Sequence, residues 1–287
     1  QARSRGLGDV YKRQAHLVSR ELASARGVGR GTATVTTPEE EREALIRRMR
    51  EQGWSEKDIE AYLKELDERR DAALERQSRA DEVLQLAREM GIKRTAYASS
   101  IASLALPPGG PYKETLYGAY KLANEHSAFV YWSDWQVPSV GLRPNVVYGL
   151  GRDQGMSSKN TTAIHAAVAG RPYTIPYSGA YSWLYAGEAA AAFIAAASFE
   201  LEGAPVFDLN GRCERLEDGL AIVKEVAPDS DISCDGPEFP FPADLDEQAL
   251  RDFVPEYPSI SLREGVEDTF KGFAALKAEG RLPDLPE

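Results

Sequence analysis

The sequence predicts an α/β fold: a parallel sheet of βαβ units with helices on both faces, followed by a small C-terminal part. Three observations carry this. From residue 92 onward, short apolar runs alternate with amphipathic helical stretches. Gly91 and Gly170 each close a helical run, where a left-handed cap favours glycine. The length of 287 residues, with 43% hydrophobic and 28% charged side chains, suits one large domain or two small ones.

The elements follow in order. Residues 1–14, "QARSRGLGDVYKRQ", lack an apolar core and any periodicity, so they read as an artefactual or disordered tail and not as a signal peptide. Residues 15–91 form an atypical, largely helical N-terminal region. Within it, Pro38 with the acids after it starts one helix, Gly53 stops that helix, and Ser55 to Asp58 resembles a capping box. Ile59, Leu63, Leu66, Ala73, Ala80 and Leu84 follow steps of four and three, interrupted by Arg70 and Gln77. A packed, charged helix or helix pair fits this pattern better than a coiled coil.

The region 92–287 carries the sheet. A strand over Arg94 to Ala98 precedes a helix from about Tyr117 to Trp135. "VPSVGLRPNVVYG" is the next strand and turn, and "TAIHAAVAG" the next helix. "SWLYAGEAAAAFIAAASF" reads as a strand tip entering a helix, "APVFDLNG" as a strand and "LEDGLAIVKEVA" as a helix. Pro-rich loops and a final helix, "SLREGVEDTFKGFAALKAEG", complete the chain.

Several classes of function are disfavoured. The net charge of -11 opposes non-specific nucleic-acid binding, which needs clustered Lys and Arg. No apolar run approaches a membrane span. Cys213 and Cys234 match no metal spacing or disulfide framework, which makes a reducing cytoplasm the default. His16, His126 and His165 form no metal site, and no phosphate-loop or nucleophile-elbow motif occurs.

One stretch carries chemistry: "YASSIASLALPPGGPYKETLYGAYKLANE" over residues 97–125. On a helix, Tyr117 and Lys121 share a face at i and i+4. A cation beside a phenol favours the phenolate, which makes an acid/base group. Ser100, at a strand end, can fix a substrate oxygen beside it. The natural partner step is hydride transfer to a nicotinamide. With 13 tyrosines in the chain, the Tyr/Lys spacing alone decides little; the surrounding motifs do.

Those motifs resemble the extended short-chain dehydrogenase/reductase family, in its NAD-dependent epimerase/dehydratase branch. "REMGIKRTAYASS" resembles the entry to the family's catalytic serine, "YGAYKLANE" its Tyr-x-x-x-Lys helix, and "GLRPNVVYGLGRD" its Arg-Pro to Tyr-Gly strand and turn. "WLYAGEAAAAFIAA" and "SISLREGVEDTF" resemble its later strand-to-helix corner and closing helix. The resemblance covers about 70% of the chain, from Arg79 to the end.

It implies a Rossmann-like catalytic core with a C-terminal substrate-binding part, mainly residues 151–180 and 212–287. Tyr117 becomes the acid/base. Lys121 favours its phenolate and binds the nicotinamide ribose, and Ser100 becomes the substrate-oxygen donor with Ser99 in support. Pro144 and Asn145 fall where the family contacts the nicotinamide; Tyr148 and Arg152 join Ser99 and Ser100 as substrate residues. Arg143 reads as structural. The implied cofactor is NAD or NADP and the partner a sugar or nucleotide sugar, with no nucleic acid and no membrane. A homodimer formed through the Tyr/Lys helix is also implied.

The chain departs from the family in three places. Gly27, Gly29 and Gly31 have the wrong spacing for a dinucleotide loop and follow no apolar strand, so the adenine side of the cofactor site is missing or scrambled. Val146 stands where many members have Asn. Near Tyr181 and Ser182 the family's diphosphate-gripping Arg is absent, leaving Arg152, Arg171 or Arg212 as substitutes. Two alternatives therefore stand beside the epimerase/dehydratase-like reading: a simple sugar or sugar-acid dehydrogenase, and a truncated non-catalytic remnant or interaction protein.

Overall fold

A computed structural model describes scattered residues between 43 and 64, then 81–105, 112, 114–152 and 154–285. The expected tail at 1–14, the glycines at 27–31 and the helical steps through Ala73 and Ala80 lie outside these residues. The chain divides into two compact units, Gln1–Glu75 and Arg76–Glu287. In the first, the described residues of 43–51 and 56–64 are helical, with Met49 and Ile59 buried. The Ile59 amide donates to the Ser55 carbonyl at 2.9 Å, where the second run begins.

In the second unit, residues 81–90 are helical and bury Leu84 and Ala87. Gly91 ends this helix at φ +65°, and the Ile92 amide returns to the Ala87 carbonyl at 2.8 Å. The chain then enters β1 (Ala96–Ala98) and a 3-10 turn at Ile101–Ala105. Helix α1 (Leu116–Trp135) starts at Thr115, whose hydroxyl accepts the Gly118 amide at 3.0 Å. It returns the chain to β2 (Val140–Pro144), which lies parallel between β1 and β6 (Val206–Leu209). Ala98 faces Leu142 and Leu142 faces Phe207, so the carboxyl ends of the three strands lie along one edge.

The strand expected to run into a turn at 147–149 instead breaks at Asn145, and residues 147–148 form a strand of their own. The Asn145 side-chain oxygen accepts the Val146 amide at 2.9 Å, and its own amide bonds Leu209. Beyond this break, β3 (Val147–Tyr148) pairs with β5 (Ala180–Tyr185) in a second sheet. Strand β7 (Arg212–Arg215) lies antiparallel to β5, and β4 (Tyr173–Ile175) pairs with β8 (Ile232–Cys234). The described strands thus form three small sheets, and only two residues, Asn210 and Gly211, turn β6 into β7. Gly211 has φ +75°, and a Cβ there would meet the Leu184 backbone at 2.6 Å.

Helices α2 (Lys159–Ala169), α4 (Leu216–Val226) and α6 (Leu262–Ala278) cover one core around Ile164, Val223, Val266 and Phe273, into which Tyr148 and Trp183 pack edge to face. Helix α3 (Ala186–Ala196) and the short α5 (Gln248–Phe253) close a second core of Val140, Leu142, Leu184, Ala192, Leu209 and Leu250. The small residues of α3 let the helix lie close on the sheet. Among the described residues, no helix is long and apolar enough to cross a membrane.

Candidate active site

The carboxyl end of β1 runs straight into Ser99 and Ser100. The Ser99 amide donates to the Leu142 carbonyl at 2.7 Å, so the serine pair continues the sheet. The next residues tighten into the 3-10 turn. Ser103 donates to the Ser100 carbonyl from its amide at 3.0 Å and from its hydroxyl at 2.8 Å. The Ala102 amide donates to the Ser100 hydroxyl oxygen at 3.2 Å. That contact occupies a lone pair of Ser100 and leaves its O–H proton for another acceptor.

Helix α1 crosses this turn with almost no gap. Gly118 is buried, and a Cβ on it would sit 2.2 Å from the Ala102 carbonyl oxygen. Tyr117 and Lys121 flank that crossing. The Tyr117 side chain is 50% exposed, and the Lys121 Nζ lies 5.6 Å from its ring centroid. Lys121 also donates to the Ala98 carbonyl at 2.6 Å, which pins the ammonium to the end of β1.

One turn deeper on the same face is Glu125, only 6% exposed. It accepts from the Ser99 hydroxyl, from the Ser103 hydroxyl at 3.0 Å, and from the Arg143 guanidinium at 2.8 and 2.6 Å. Arg143 reaches Asp208 of β6 at 3.4 Å. Burial pushes the Glu125 carboxyl up, but Arg143 and the two hydroxyls more than offset it and hold the group below its ordinary value. Burial instead raises Asp208, with Arg143 only partly compensating.

The structure thus brings Ser99, Ser100, Tyr117 and Lys121 to one edge. Pro144 ends β2 at the same edge. Beside it, Asn145 donates to Asn210 at 2.6 Å and to the Pro242 carbonyl at 2.9 Å, so its side chain clasps the C-terminal loop. Tyr148 lies elsewhere, buried in the first core with its hydroxyl against Gly265; burial raises its pKa. Arg152 holds its own loop, through the Gln154 carbonyl and the Ser157 hydroxyl at 2.9 Å. Arg212 bonds the Ile260 carbonyl at 3.1 Å and the Ser259 hydroxyl, and Arg171 is exposed.

Sequence reasoning missed Glu125 and Gly118. The signal for Glu125 was available: it follows Tyr117 at i+8 and Lys121 at i+4, on one helical face. The donor set fits the nicotinamide half of a dinucleotide, with an ammonium and a half-exposed phenol beside a hydroxyl with a free proton, at the carboxyl edge of a parallel sheet. Among the described residues no group of His, Cys, Asp and Glu could hold a metal ion.

Comparison with known proteins agrees with this architecture. The NAD dependent epimerase/dehydratase family matches residues 59–208, just over half of the chain. Among solved structures, an apo GalE-like L-threonine dehydrogenase from Cupriavidus necator is 24% identical with TM-score 0.58, over 70% of this chain and 80% of that one. UDP-N-acetylglucosamine 4-epimerase from Bacillus cereus is 19% identical with TM-score 0.57, over 74% and 72%. A UDP-glucose 4-epimerase complex with NAD from Thermus thermophilus is 24% identical with TM-score 0.52, over 66% of each chain. No curated protein sequence matches. The chain belongs to the NAD dependent epimerase/dehydratase family, with the Rossmann-type α/β fold of these structures.

Proposed function

We propose that this family member is an NAD-dependent oxidoreductase that acts on a sugar or nucleotide-sugar hydroxyl through Tyr117, Lys121 and Ser100. The observation that carries the reading is the crossing of α1 over the serine turn, which places a phenol, an ammonium and a hydroxyl at one strand edge. Lys121 and Tyr117, with Pro144 and Asn145 alongside, are the residues that would hold the nicotinamide side of NAD. When bound, NAD supplies the hydride acceptor, and in an epimerase the same hydride is returned to the opposite face of the ring.

The residues of the chain handle the proton. Tyr117 accepts the proton of the substrate hydroxyl while the carbon that bears it gives up hydride. Lys121 holds its ammonium 5.6 Å from the Tyr117 ring centroid, on the same side of the helix. Ser100 donates its free O–H to the same substrate oxygen and fixes it in place. A substrate contact from Arg152 completes the reading; the buried Ser99 hydroxyl is taken by Glu125 and supports Ser100 from behind, and Tyr148 lies in the core.

A second copy of the chain completes the proposed assembly. Leu116, Phe129, Val130 and Trp135 of α1 are exposed, as are Val83, Leu86 and Met90 of the helix at 81–90. The two helices already touch, with the Arg88 guanidinium 4.4 Å over the Trp135 ring. These exposed apolar side chains make the two helices the surface proposed for a homodimer.

A simple dehydrogenase is the second reading, and the likeness to a threonine dehydrogenase structure keeps it in play. Calorimetric titration of the purified chain with NAD and with NADP, after a check for co-purified cofactor, is the test. Micromolar binding is expected. No binding at millimolar NAD by a folded chain would end the enzyme reading in favour of a non-catalytic remnant. Substrate screens then separate the rest: NADH accumulates with a dehydrogenase and not with an epimerase.

A further inference from the structure

We infer that Glu125 is the positioning residue of this site: through Ser99 and Ser103 its carboxylate sets the serine turn against the Tyr117–Lys121 helix. The inference rests on the reading of Ser100, Tyr117 and Lys121 as the proton-handling group. It begins with spacing, since positions 117, 121 and 125 share one face of α1. The face enters the protein in steps. Tyr117 is half exposed, Lys121 is pinned to the last carbonyl of β1 at 2.6 Å, and Glu125 is buried.

A buried carboxylate is costly unless every lone pair is used. Here Oε1 takes the Ser99 hydroxyl, the Ser103 hydroxyl at 3.0 Å and the Arg143 Nε at 2.8 Å, while Oε2 takes the Arg143 Nη2 at 2.6 Å. One side chain thereby joins α1, the serine turn and β2, and Arg143 extends the link to Asp208 of β6. The Ser103 hydroxyl has one proton and two acceptors, the Ser100 carbonyl at 2.8 Å and Glu125. Its oxygen thus stands between the carboxylate and the peptide of Ser100. The Ser100 hydroxyl is held by the same turn, because the Ala102 amide donates to its oxygen.

A purely stabilising ion pair would also explain a charge-paired Glu125 and Arg143. The two readings separate when both charges are removed together. Glu125→Leu with Arg143→Met deletes the pair and the acceptor. Glu125→Gln with Arg143→Met deletes the pair and keeps an acceptor for the serines. Asp208 loses Arg143 in both, so its contribution cancels.

The first readout is amide hydrogen exchange over residues 99–105, beside the melting temperature. In the leucine variant the Ala102 and Ser103 amides should exchange about tenfold faster or more than in the glutamine variant, with the two melting alike. Where turnover is measurable, kcat of the leucine variant should fall by about tenfold or more with KM for the cofactor little changed, and the glutamine variant should recover most of it. Equal protection in both variants overturns the positioning role. If the leucine variant does not fold, Ser103→Ala reads the link from its other end: faster exchange at Ala102 supports the role, and wild-type exchange overturns it. Exchange needs no cofactor, so failure to bind NAD would sink the proposed function and leave this result standing.

Discussion

Gly118 of α1 and Ala102 of the serine turn are in backbone contact so close that a Cβ on Gly118 would lie 2.2 Å from the Ala102 carbonyl oxygen and 2.8 Å from its carbon. Neither atom is the end of a flexible side chain, so one element must retreat if the space is filled. In an open helix, Gly118→Ala would gain about 1 kcal/mol of helix propensity. Here overpacking costs about 1–3 kcal/mol, so the net effect should be a loss of stability. The retreat also parts Tyr117 and Lys121 from Ser100. A fall in melting temperature together with lower kcat is expected; a variant as stable and active as the parent would mean the contact is slack.

The charge of Glu125 should show itself in the pH dependence of stability. Its folded pKa lies below the ordinary value of 4.5. Such a group contributes stability above its unfolded pKa and loses it as pH falls through the folded one. Glu125→Gln mimics the protonated acid and leaves Arg143 with Asp208 alone. At pH 7 the substitution should cost about 3–5 kcal/mol, as for a buried pair robbed of one partner. The gap between parent and variant should close as pH drops below the carboxylate range. A gap that stays constant to pH 3 would show that the charge is irrelevant.

How much of this was legible follows from what each signal depends on. The alternation of elements after residue 92 and the Tyr117 and Lys121 face are local properties of period and spacing, and so were readable. The break at Asn145, and the strand β3 where a turn is expected at 147–149, were not. The break depends on Asn145 bonding its own neighbour, Val146, and distant partners at 210 and 242, which no local pattern reveals. Arg143 reads as structural, and its partners prove to be Glu125 and Asp208. Tyr148 sits in a motif that suggests a ligand contact, yet its alternating neighbours Val146 and Leu150 are consistent with a strand end, and tertiary packing puts the ring against Trp183. Glu125 was missed, although it shares the Tyr117 and Lys121 face, because a helical Glu ordinarily faces water.

Tyr117→Phe tests the proton-handling reading most directly. The ring is half exposed and the hydroxyl carries the proposed chemistry, so stability should change by no more than about 0.5 kcal/mol. The ring stays and only the hydroxyl's share of NAD binding is lost, so affinity should fall by no more than about threefold, while kcat should fall by about a hundredfold or more, as for a lost acid/base group. Lys121→Met should instead weaken NAD binding as well as turnover, because the same ammonium is proposed to hold the ribose. It would also free the Ala98 carbonyl. A Tyr117→Phe variant with parental turnover would remove this residue from the mechanism.

Phe129 offers the cleanest test of self-association. It stands 63% exposed on α1, close to the exposed Val130 and on the helix that also presents Leu116 and Trp135. In a monomer, Phe129→Glu replaces a solvated apolar ring with a solvated charge, and stability should move by no more than about 0.5 kcal/mol. In a dimer with this face at its centre, the same change buries an unpaired carboxylate and removes an aromatic anchor, at a cost of about 2 kcal/mol or more for each protomer. Two protomers double that cost, so the dimer dissociation constant should rise by about a thousandfold. Sedimentation velocity across a concentration series would then show a dimer for the parent and a monomer for the variant, with matching far-ultraviolet circular dichroism. A parent that sediments as a monomer at high micromolar concentration would place no second copy on this face, and a Phe129→Glu protein that stays dimeric would move the interface elsewhere.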